Sequence, residues 1–389
     1  MENLVDSKNA HGKFLYSKHS DDFELKRSSI ITCLREKLAS ATEESEEKQI
    51  TAFLINTLST RVTNEINFDD DGEDFAISSQ EIGWLNKNPT DKWADYLIFR
   101  YKFRVYPRRH IVSDFPLYLL IEPTSACNIR CVMCFQIDKT FTTKEYMGRM
   151  PWALFVKTVD EAALKGTKAI TLASRGEPTL HPEFGKMLKY ISSKQCFFEV
   201  KINTNATRLT ESLSREILEA DINEIVFSVD AGTKKTYEEI RVKGKFDDVV
   251  HNIRRFHEIR TTEFPNSRVV TRISGVKVRD DQDIDQMTDF WRAYVDEVTI
   301  KPATARWDSY NNEVNGITKP CEMLFERMYV WYDGTLNPCD FDYKSELALS
   351  SLENTSLEEA WKSEKYKALR EGHTKGERQN FYPCDRCPL

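Results

Sequence analysis

Three cysteines lie close together near the middle of the chain, within the stretch Cys127-Asn-Ile-Arg-Cys131-Val-Met-Cys134. Three thiolates on one short loop can bind three irons of a cubane cluster, which leaves the fourth iron without a protein ligand. An open metal position is what substrate-binding chemistry needs, as it is for catalytic zinc sites. The alternative is part of a zinc site, but no fourth Cys or His lies nearby in the sequence.

A second group of cysteines lies towards the other end: Cys321, Cys339, Cys384 and Cys387. Four thiolates are enough for one fully ligated [4Fe-4S] cluster, whose roles would be electron transfer, substrate positioning or architecture. A four-cysteine zinc site is the alternative. Such sites usually show two close pairs, whereas here only Cys384 and Cys387 are close.

The elements that must position these cysteines alternate between two kinds. Short apolar runs, typical of buried strands, alternate with stretches of helical periodicity, and this order predicts parallel strands joined by helical crossovers. Six such units are too few for a closed eight-stranded barrel, so the sequence predicts an α/β fold with a partial (β/α)6 barrel. The predicted strands are 117–121, 169–173, 197–202, 224–229, 269–278 and 297–300, and the predicted helices are 151–164, 182–192, 211–219, 247–259 and 284–294.

Polar residues follow the predicted strands at the ends where barrel active sites form. The second strand is followed by Ser174-Arg175-Gly176-Glu177-Pro178, the third ends in Asn203-Thr204-Asn205, and the fourth in Ser228-Val229-Asp230. Arg272 and Ser274 lie on the fifth strand, and Lys301 follows the sixth. Any one of these residues could simply cap a loop, but together they surround one cysteine loop.

The C-x3-C-x2-C spacing, placed directly after the first strand, resembles the signature of the radical S-adenosylmethionine (SAM) superfamily over roughly residues 115 to 305. The resemblance implies that the open iron chelates SAM and that one electron cleaves it to methionine and a 5'-deoxyadenosyl radical. Two positions depart from the family pattern: Met133 stands where many members carry an aromatic residue, and Arg175 replaces the first glycine of a Gly-Gly-Glu turn. The SAM contacts implied by the resemblance are Gly176, Glu177, Asn203, Asn205, Ser228, Asp230, Arg272 and Ser274.

The second cysteine group, with Tyr332-Asp333-Gly334-Thr335 and Trp361 around it, resembles the cluster-binding extension called SPASM, or its shortened Twitch form. Full SPASM domains carry more cysteines, for two auxiliary clusters. The four present here imply one auxiliary [4Fe-4S] cluster.

These patterns predict three regions: a mainly helical N-terminal extension at 1–110, the partial barrel at 111–305, and a small separate cluster module at 306–389. In the extension, the acidic run 69–74 is interpreted as a solvated loop, because Ser78 occupies the position where a calcium loop needs a bidentate Glu. Segment 97–105 alternates apolar and basic residues, and as a strand it would put an apolar row inward and a basic row outward. The favoured interpretation is a strand or helix with a solvated basic edge, and the alternative is an anion-recognition patch.

The candidate catalytic residues are Lys301, Asp308 and Tyr310, because the chain should cross the barrel mouth there. Trp307 and Asn311 lie in the same segment and are candidate substrate contacts. The resemblance favours a small-molecule substrate, such as a sugar, cyclitol or nucleotide-linked metabolite that can be anionic, and an electron donor such as flavodoxin or ferredoxin. A peptide or protein maturase is the alternative. An epimerase commonly needs a further thiol at the site, and Cys33 and Cys196 are placed away from it, so net oxidation is favoured.

Composition limits the remaining classes. The net charge of -7 argues against a general nucleic-acid partner, which would show a dominant basic field. No apolar run is long enough to cross a bilayer, and the first residues lack the apolar core of a signal peptide. We therefore expect a cytoplasmic protein, with cysteines that serve as metal ligands and not as disulfides.

Overall fold

The computed structural model of the chain describes residues 14–17, 23–41, 45–60, 75–304 and 309–389. The acidic run at 69–74, and with it the calcium-loop alternative, lies outside the described residues, as do Trp307 and Asp308.

Within the described ranges, the strands are β1 (Phe14–Ser17), β2 (Tyr118–Ile121), β3 (Arg130–Cys131), β4 (Ala169–Leu172), β5 (Glu199–Thr204), β6 (Glu224–Ser228), β7 (Arg241–Val242), β8 (Val270–Lys277), β9 (Glu297–Pro302), β10 (Arg327–Val330), β11 (Thr335–Asn337) and β12 (Ser350–Ser351). The helices are α1 (Phe23–Ser40), α2 (Glu46–Thr60), α3 (Ser79–Lys87), α4 (Trp93–Val105), α5 (Trp152–Lys165), α6 (Phe184–Ser193), α7 (Glu211–Glu219), α8 (Lys234–Ile240), α9 (Phe246–Glu263), α10 (Ile284–Trp291), α11 (Met323–Glu326), α12 (Leu357–Trp361) and α13 (Glu364–Thr374).

Six parallel strands form the centre of one sheet, in the order β2-β4-β5-β6-β8-β9. This sequential order, with helices between the strands, is the predicted partial barrel, and all six strands lie where the sequence predicts them. Along β5 and β8 the burial alternates from residue to residue, because one face packs under the helices and the other lines the open barrel. Cofactor-binding side chains can therefore come only from the second face and from the strand ends.

The C-terminal residues do not form a module detached from this sheet. Strand β10 pairs in parallel with β2, and β11 and β12 continue the sheet outward as antiparallel strands. The apolar core of the barrel also includes side chains of this region, among them Trp361 and Tyr366. The predicted small separate module is thus a small module built onto the edge of the barrel sheet. The domain limits at 110 and 305 remain predictions.

The N-terminal helices pack against the end of the barrel where its strands begin. Trp84 donates a hydrogen bond from Nε1 to the carbonyl of Phe198, 2.8 Å away, just before β5. Arg100 contacts Glu199, the first residue of β5, at 3.1 Å. The cysteine loop follows the opposite end of β2. The N-terminal helices therefore close the bottom of the barrel, far from the predicted site.

Segment 97–105 lies in helix α4, which is one of the two conformations that the sequence left open. Helix α4 is enclosed by the other N-terminal helices and the barrel bottom, so residues on most of its circumference are buried. Its basic side chains are not a solvated edge or an anion patch, since Arg100 and Arg104 contact the buried carboxylate of Glu81 at 2.9 and 3.3 Å. In an ion pair buried this deeply, each charge is compensated by that of its partner.

Candidate functional site

The three clustered cysteines lie on the loop that follows β2. Cys131 belongs to β3, which pairs with β7, while Cys134 begins a short 3-10 turn and accepts a hydrogen bond from the Gln136 amide at 3.5 Å. Burial, together with the charge of neighbouring groups that include the Cys134 thiol, raises the pKa of Cys127 and Cys131 to about 12. With such a pKa these thiols stay protonated at neutral pH unless a cation lies beside them, and the irons of a cluster would supply that charge.

The side chains that the β2 loop offers to a metal centre are thiols. Across the described ranges, no three His, Cys, Asp or Glu side chains converge as the ligands of one metal ion would. A cubane separates its thiolates, because each binds a different corner. The loop offers three sulfur ligands and no fourth, which is the pattern that leaves one iron open.

The turn after β4 packs directly on the start of this loop. A Cβ at Gly176 would lie 2.2 Å from the carbonyl oxygen of Thr124 and 2.5 Å from that of Ala126, so only glycine fits there. Ser174 has a positive φ of 107°, the conformation that favours glycine. The glycine that Arg175 replaces is thus not needed at that position, because the left-handed residue is Ser174.

Arg175 has a structural role of its own. Its guanidinium donates two hydrogen bonds to the Glu122 carboxylate, at 2.8 and 2.6 Å, and a third to the carbonyl of Tyr343, at 2.9 Å. It also lies 4.2 Å from the ring centre of Trp331. Arginine suits this position because its planar fork matches a carboxylate and stacks on aromatic rings. The departure from the family pattern therefore ties the turn to the C-terminal region.

Glu177 connects the same turn to the end of β5. Its carboxylate accepts hydrogen bonds from the Asn205 amide at 2.7 Å and from the Thr204 and Thr179 hydroxyls at 2.7 and 2.6 Å. Burial raises its pKa although these bonds oppose the shift. The structure places Glu177 at the predicted location, where it fixes the β4 and β5 ends relative to each other.

Two asparagines at the end of β5 lie near the cysteine loop or the open barrel. Asn205 lies with Nδ2 at 3.0 Å from Asn128 Oδ1 and 3.9 Å from Cys127 Sγ. The Oδ1 atom of Asn203 is buried without a hydrogen-bond partner, and so is the Oγ of Ser174. Buried polar atoms normally have partners. These two orphaned atoms on adjacent strand ends are what a polar cofactor would satisfy.

Asp230, a predicted SAM contact, has protein groups beside both of its carboxylate oxygens. One carboxylate oxygen accepts from the Val276 amide at 2.8 Å, and the other contacts Arg241 at 2.7 Å. Arg241 in turn donates to Cys131 Sγ at 3.7 Å. Arg241 could not be predicted from the sequence, because only the two-residue pairing of β3 with β7 brings it to the loop.

The other predicted SAM contacts lie at different depths in the barrel. Ser228 and Ser274 are paired on neighbouring strands near the mouth. Arg272 lies two residues deeper and contacts Glu224 at 2.6 Å and Glu297 at 3.9 Å. Arg272 thus belongs to a charged layer inside the barrel and is separated from the strand ends.

The second cysteine group also comes together. Burial raises the pKa of Cys339, and the charges of Asp340 and of the three other cysteines of this group add to the shift. Arg378 fixes the last loop by donating to the carbonyls of Cys384 and Cys387, each at 3.1 Å. The four thiols therefore lie near enough for their charges to interact, and their ligation of one cluster stays a prediction.

The two cysteine groups are joined by an aromatic contact. Phe135, next to Cys134, stacks on Tyr343 with ring centres 4.8 Å apart, and Asp138 contacts Lys344 at 2.7 Å. Tyr343 follows Cys339 by four residues. The C-terminal region is thus fastened to the loop that carries the first group.

The structure does not bring the predicted catalytic residues together at one site, as it does the cysteines. Tyr310 is buried, donates to Asp342 at 2.6 Å and accepts from the Lys344 amide at 2.7 Å, which gives it a place in the aromatic contact. Lys301 is exposed overall, but lost hydration and repulsion from Arg272, Lys201 and Arg327 lower the pKa of its ammonium group. Asp308 lies outside the described residues.

Comparisons with known proteins agree with this arrangement. The profile of the radical SAM superfamily matches residues 121–290, and that of the SPASM iron-sulfur cluster-binding domain matches 321–388. The chain therefore contains a radical SAM domain followed by a short SPASM domain, with SAM and [4Fe-4S] clusters as cofactors. No helix among the described residues is long and apolar enough to cross a membrane.

Curated relatives match mainly over part of the chain. A tungsten-containing aldehyde ferredoxin oxidoreductase cofactor-modifying protein of Pyrococcus furiosus is 37% identical over 29% of this chain and 30% of its own length. A GTP 3',8-cyclase of Desulforamulus reducens is 26% identical over 44% of this chain and 51% of its own length. The mycofactocin maturase MftC of Mycolicibacterium smegmatis is 25% identical over 46% of this chain and 41% of its own length. The chain thus spans about a third to a half of these relatives.

Among solved structures, Streptococcus suis SuiB bound to S-adenosylmethionine superposes with a TM-score of 0.53 over 81% of this chain and 88% of that one, at 15% identity. At this identity the likeness concerns the fold. It confirms the mixed α/β architecture with its partial barrel and C-terminal extension.

Proposed function

We propose that Cys127, Cys131 and Cys134 hold the [4Fe-4S] cluster that binds SAM, and that the chain uses the resulting radical to abstract hydrogen from a substrate. The observation that carries this proposal is the set of three thiols on the β2 loop, contacted by Asn205 and Arg241 and packed against Gly176. When bound and reduced, the cluster supplies the electron that cleaves SAM.

The chain's own residues would hold SAM by polar contacts at the strand ends. Asn203 and Ser174 offer buried oxygen atoms that lack partners, and Ser228 and Ser274 lie on the neighbouring strands. Glu177 keeps the β4 and β5 ends in register, and we assign it a positioning role for the SAM amino group. Asp230 would act indirectly, by holding Arg241 beside Cys131.

We assign the auxiliary cluster to Cys321, Cys339, Cys384 and Cys387. Because all four corners have thiolate ligands, this cluster cannot chelate SAM. Its connection to the first loop through Phe135 and Tyr343 suits a site that accepts an electron from the substrate radical.

For the substrate, we favour a peptide or protein side chain over the free metabolite that the sequence favours. Support comes from the mycofactocin maturases among the relatives. A compact polar metabolite is the second candidate, because Lys201, Glu224, Arg272 and Glu297 make the barrel interior charged and a GTP 3',8-cyclase is also among the relatives.

We further propose net oxidation of the substrate over epimerisation. Cys33 lies in α1 and Cys196 just before β5, both towards the barrel bottom. With the other seven cysteines assigned to clusters, no thiol is left at the mouth to return a hydrogen atom to the radical. The substrate radical would pass its electron to the auxiliary cluster, and Lys301, whose pKa is lowered, would take the proton; Asp308 and Tyr310 remain further candidates.

The test uses anaerobically reconstituted protein. Replacing Cys127, Cys131 and Cys134 with Ala should remove about half of the iron and all 5'-deoxyadenosine formation under dithionite. Persisting 5'-deoxyadenosine in that variant would contradict the proposed function. Peptide libraries and nucleotide or sugar panels, each scored by substrate-dependent 5'-deoxyadenosine, separate the two substrate classes.

The oxidation is tested in deuterium oxide with whichever substrate is turned over. An oxidised product without solvent deuterium at the abstracted carbon is expected. A product isomeric with its substrate and labelled once from solvent would establish epimerisation instead.

A further inference from the structure

Tyr237, in helix α8, has a buried hydroxyl group that none of the contacts described above uses. Its side chain is fully buried, and among the described residues its Oη atom has no hydrogen-bond partner. Buried polar atoms normally have partners, and an unpaired hydroxyl in the interior destabilises the fold. A donor of this kind beside a cofactor site is what a bound cofactor would satisfy.

The fold brings Tyr237 to the cysteine loop from the same side as Arg241. Tyr237 lies four residues before Arg241, whose amide donates to the Tyr237 carbonyl at the end of α8. Side chains four residues apart lie on the same face of a helix. Arg241 donates to Cys131 Sγ at 3.7 Å, so this face of α8 is directed at the loop.

Packing holds the ring of Tyr237 in the interior. Its ring centre lies 5.4 Å from that of Phe246, at an interplanar angle of 50°. A Cβ at Gly244 would lie 3.0 Å from the ring Cε1 and 3.1 Å from Oη, so a side chain at that position would crowd the hydroxyl. The hydroxyl therefore has a defined place, closed off from solvent.

Four charged or titratable groups lie near enough to act on this hydroxyl. Burial raises the pKa of Tyr237, and the charges of Cys131, Asp230 and Glu177 add to the shift while Arg241 opposes it. The hydroxyl thus keeps its proton and is a donor. Arginine cannot accept a hydrogen bond. The two carboxylates already face the protein groups described above, so the remaining acceptor is the sulfur of Cys131.

That sulfur becomes a strong acceptor only when it loses its proton to bind iron. A thiol is a weak acceptor, whereas a thiolate is charged and forms stronger hydrogen bonds. We infer that the Tyr237 hydroxyl donates a hydrogen bond to the iron-bound sulfur of Cys131, beside the one from Arg241. This inference rests on the proposed function, since it assumes a cluster at the three loop cysteines. Tyr237 is then a positioning residue that makes the first cluster easier to reduce.

The variant Tyr237→Phe tests this role, because it removes the hydroxyl and keeps the ring. In the anaerobically reconstituted full chain, the first cluster is recognised by the electron paramagnetic resonance signal that changes when SAM is added. In a potentiometric titration without SAM, the equilibrium constant for reducing this cluster should fall about fivefold, which is about 40 mV at 59 mV per tenfold change. Iron content should match that of wild type.

Pulsed electron paramagnetic resonance in deuterium oxide gives an independent readout. The hydroxyl hydrogen exchanges with solvent, so wild type should show a deuterium coupling to the reduced first cluster that Tyr237→Phe lacks. Tyr96→Phe is the matched control, because the hydroxyl of Tyr96 is also buried but contacts Glu199, 3.1 Å away at the bottom of the barrel. The control should change neither the potential nor the coupling.

The outcomes separate this inference from the proposed function. An unchanged potential and coupling in Tyr237→Phe would overturn the inference. Weaker SAM binding with an unchanged potential would also overturn it, because the hydroxyl would then face SAM and not the cluster. An equal shift in Tyr96→Phe would do the same, since the change would come from the fold. A wild-type chain without a SAM-responsive cluster signal would instead refute the proposed function.

Discussion

The guanidinium of Arg241 lies between Asp230 Oδ2, at 2.7 Å, and Cys131 Sγ, at 3.7 Å. Both Arg241 and Asp230 are almost fully buried, so each compensates the charge of the other. In an iron-sulfur cluster, a hydrogen bond from a cation to a ligand thiolate makes the cluster easier to reduce. This relationship gives the first prediction.

Replacing Arg241 with Gln should leave Asp230 buried without a cation and lower the free energy of unfolding by about 3 kcal/mol. It should also make the first cluster harder to reduce, which a potentiometric titration followed by electron paramagnetic resonance would measure. The double variant Asp230→Asn/Arg241→Gln should lose less stability than the two single changes combined. Arg279→Gln removes an exposed arginine and should change neither quantity; an unaltered potential in Arg241→Gln would contradict the argument.

Replacing Glu177 with Gln should weaken SAM binding while iron content stays intact. The amide would place a donor opposite either the Asn205 amide or the hydroxyls of Thr204 and Thr179, so the β4 and β5 ends would shift. We expect a cost of about 1 to 2 kcal/mol, or roughly a five- to thirtyfold higher Kd by equilibrium dialysis. Glu183→Gln, on the following loop, is the control. Unchanged affinity would show that this turn does not position SAM.

Replacing Cys384 and Cys387 with Ala should remove the second cluster and substrate turnover but spare uncoupled SAM cleavage, because the first loop keeps its own three ligands. Iron analysis and 5'-deoxyadenosine measured without substrate provide the readouts. Zinc found at this site after anaerobic purification would exclude its electron-transfer role.

Glu297 should make the folded state less stable as the pH rises towards neutrality. Its burial, with repulsion from Glu224, raises its pKa to about 7, although Arg272 opposes the shift. Between the ordinary Glu pKa of about 4.5 and pH 7, the folded chain therefore holds a proton that the unfolded chain has released. Urea unfolding should show about 1 to 3 kcal/mol of this stability fully present below pH 4.5 and lost by pH 8.

Glu297→Gln should flatten that part of the pH profile, whereas Glu239→Gln, at an exposed ion pair, should keep it. A wild-type slope that persists in Glu297→Gln would place the titrating group elsewhere.

Much of the fold could be predicted because local pattern and global structure agree in the barrel. The six parallel strands have short apolar runs, and the helices between them have one apolar face, so position and type follow from periodicity. The loop cysteines were predicted from their spacing, and Gly176 from the resemblance of its turn to that of the family. The sequence left strand and helix open for segment 97–105, since burial of α4 on nearly all sides removes the helical period that Leu97, Phe99 and Tyr101 would otherwise show.

The contacts that sequence could not reveal depend on pairing between distant segments. Arg241 reaches Cys131 through a two-residue strand that has no periodicity to detect. Arg272 appeared equivalent to Ser274 because both face the barrel interior, yet its depth and its pairing with Glu224 depend on strand register. Likewise, nothing in the C-terminal residues distinguishes a detached module from strands that continue the sheet beside β2.

The pairing of β1 with β9 has a consequence for synthesis on the ribosome. Strand β1 ends at Ser17 and its partner begins at Glu297, so at 5 to 20 residues per second the nascent β1 waits on the order of ten seconds or more before its partner exists. Strands β2 to β8 can associate during that interval, in the order in which they emerge. The barrel sheet therefore grows as an open structure, and the earliest strand of the described chain is among the last to be placed in it.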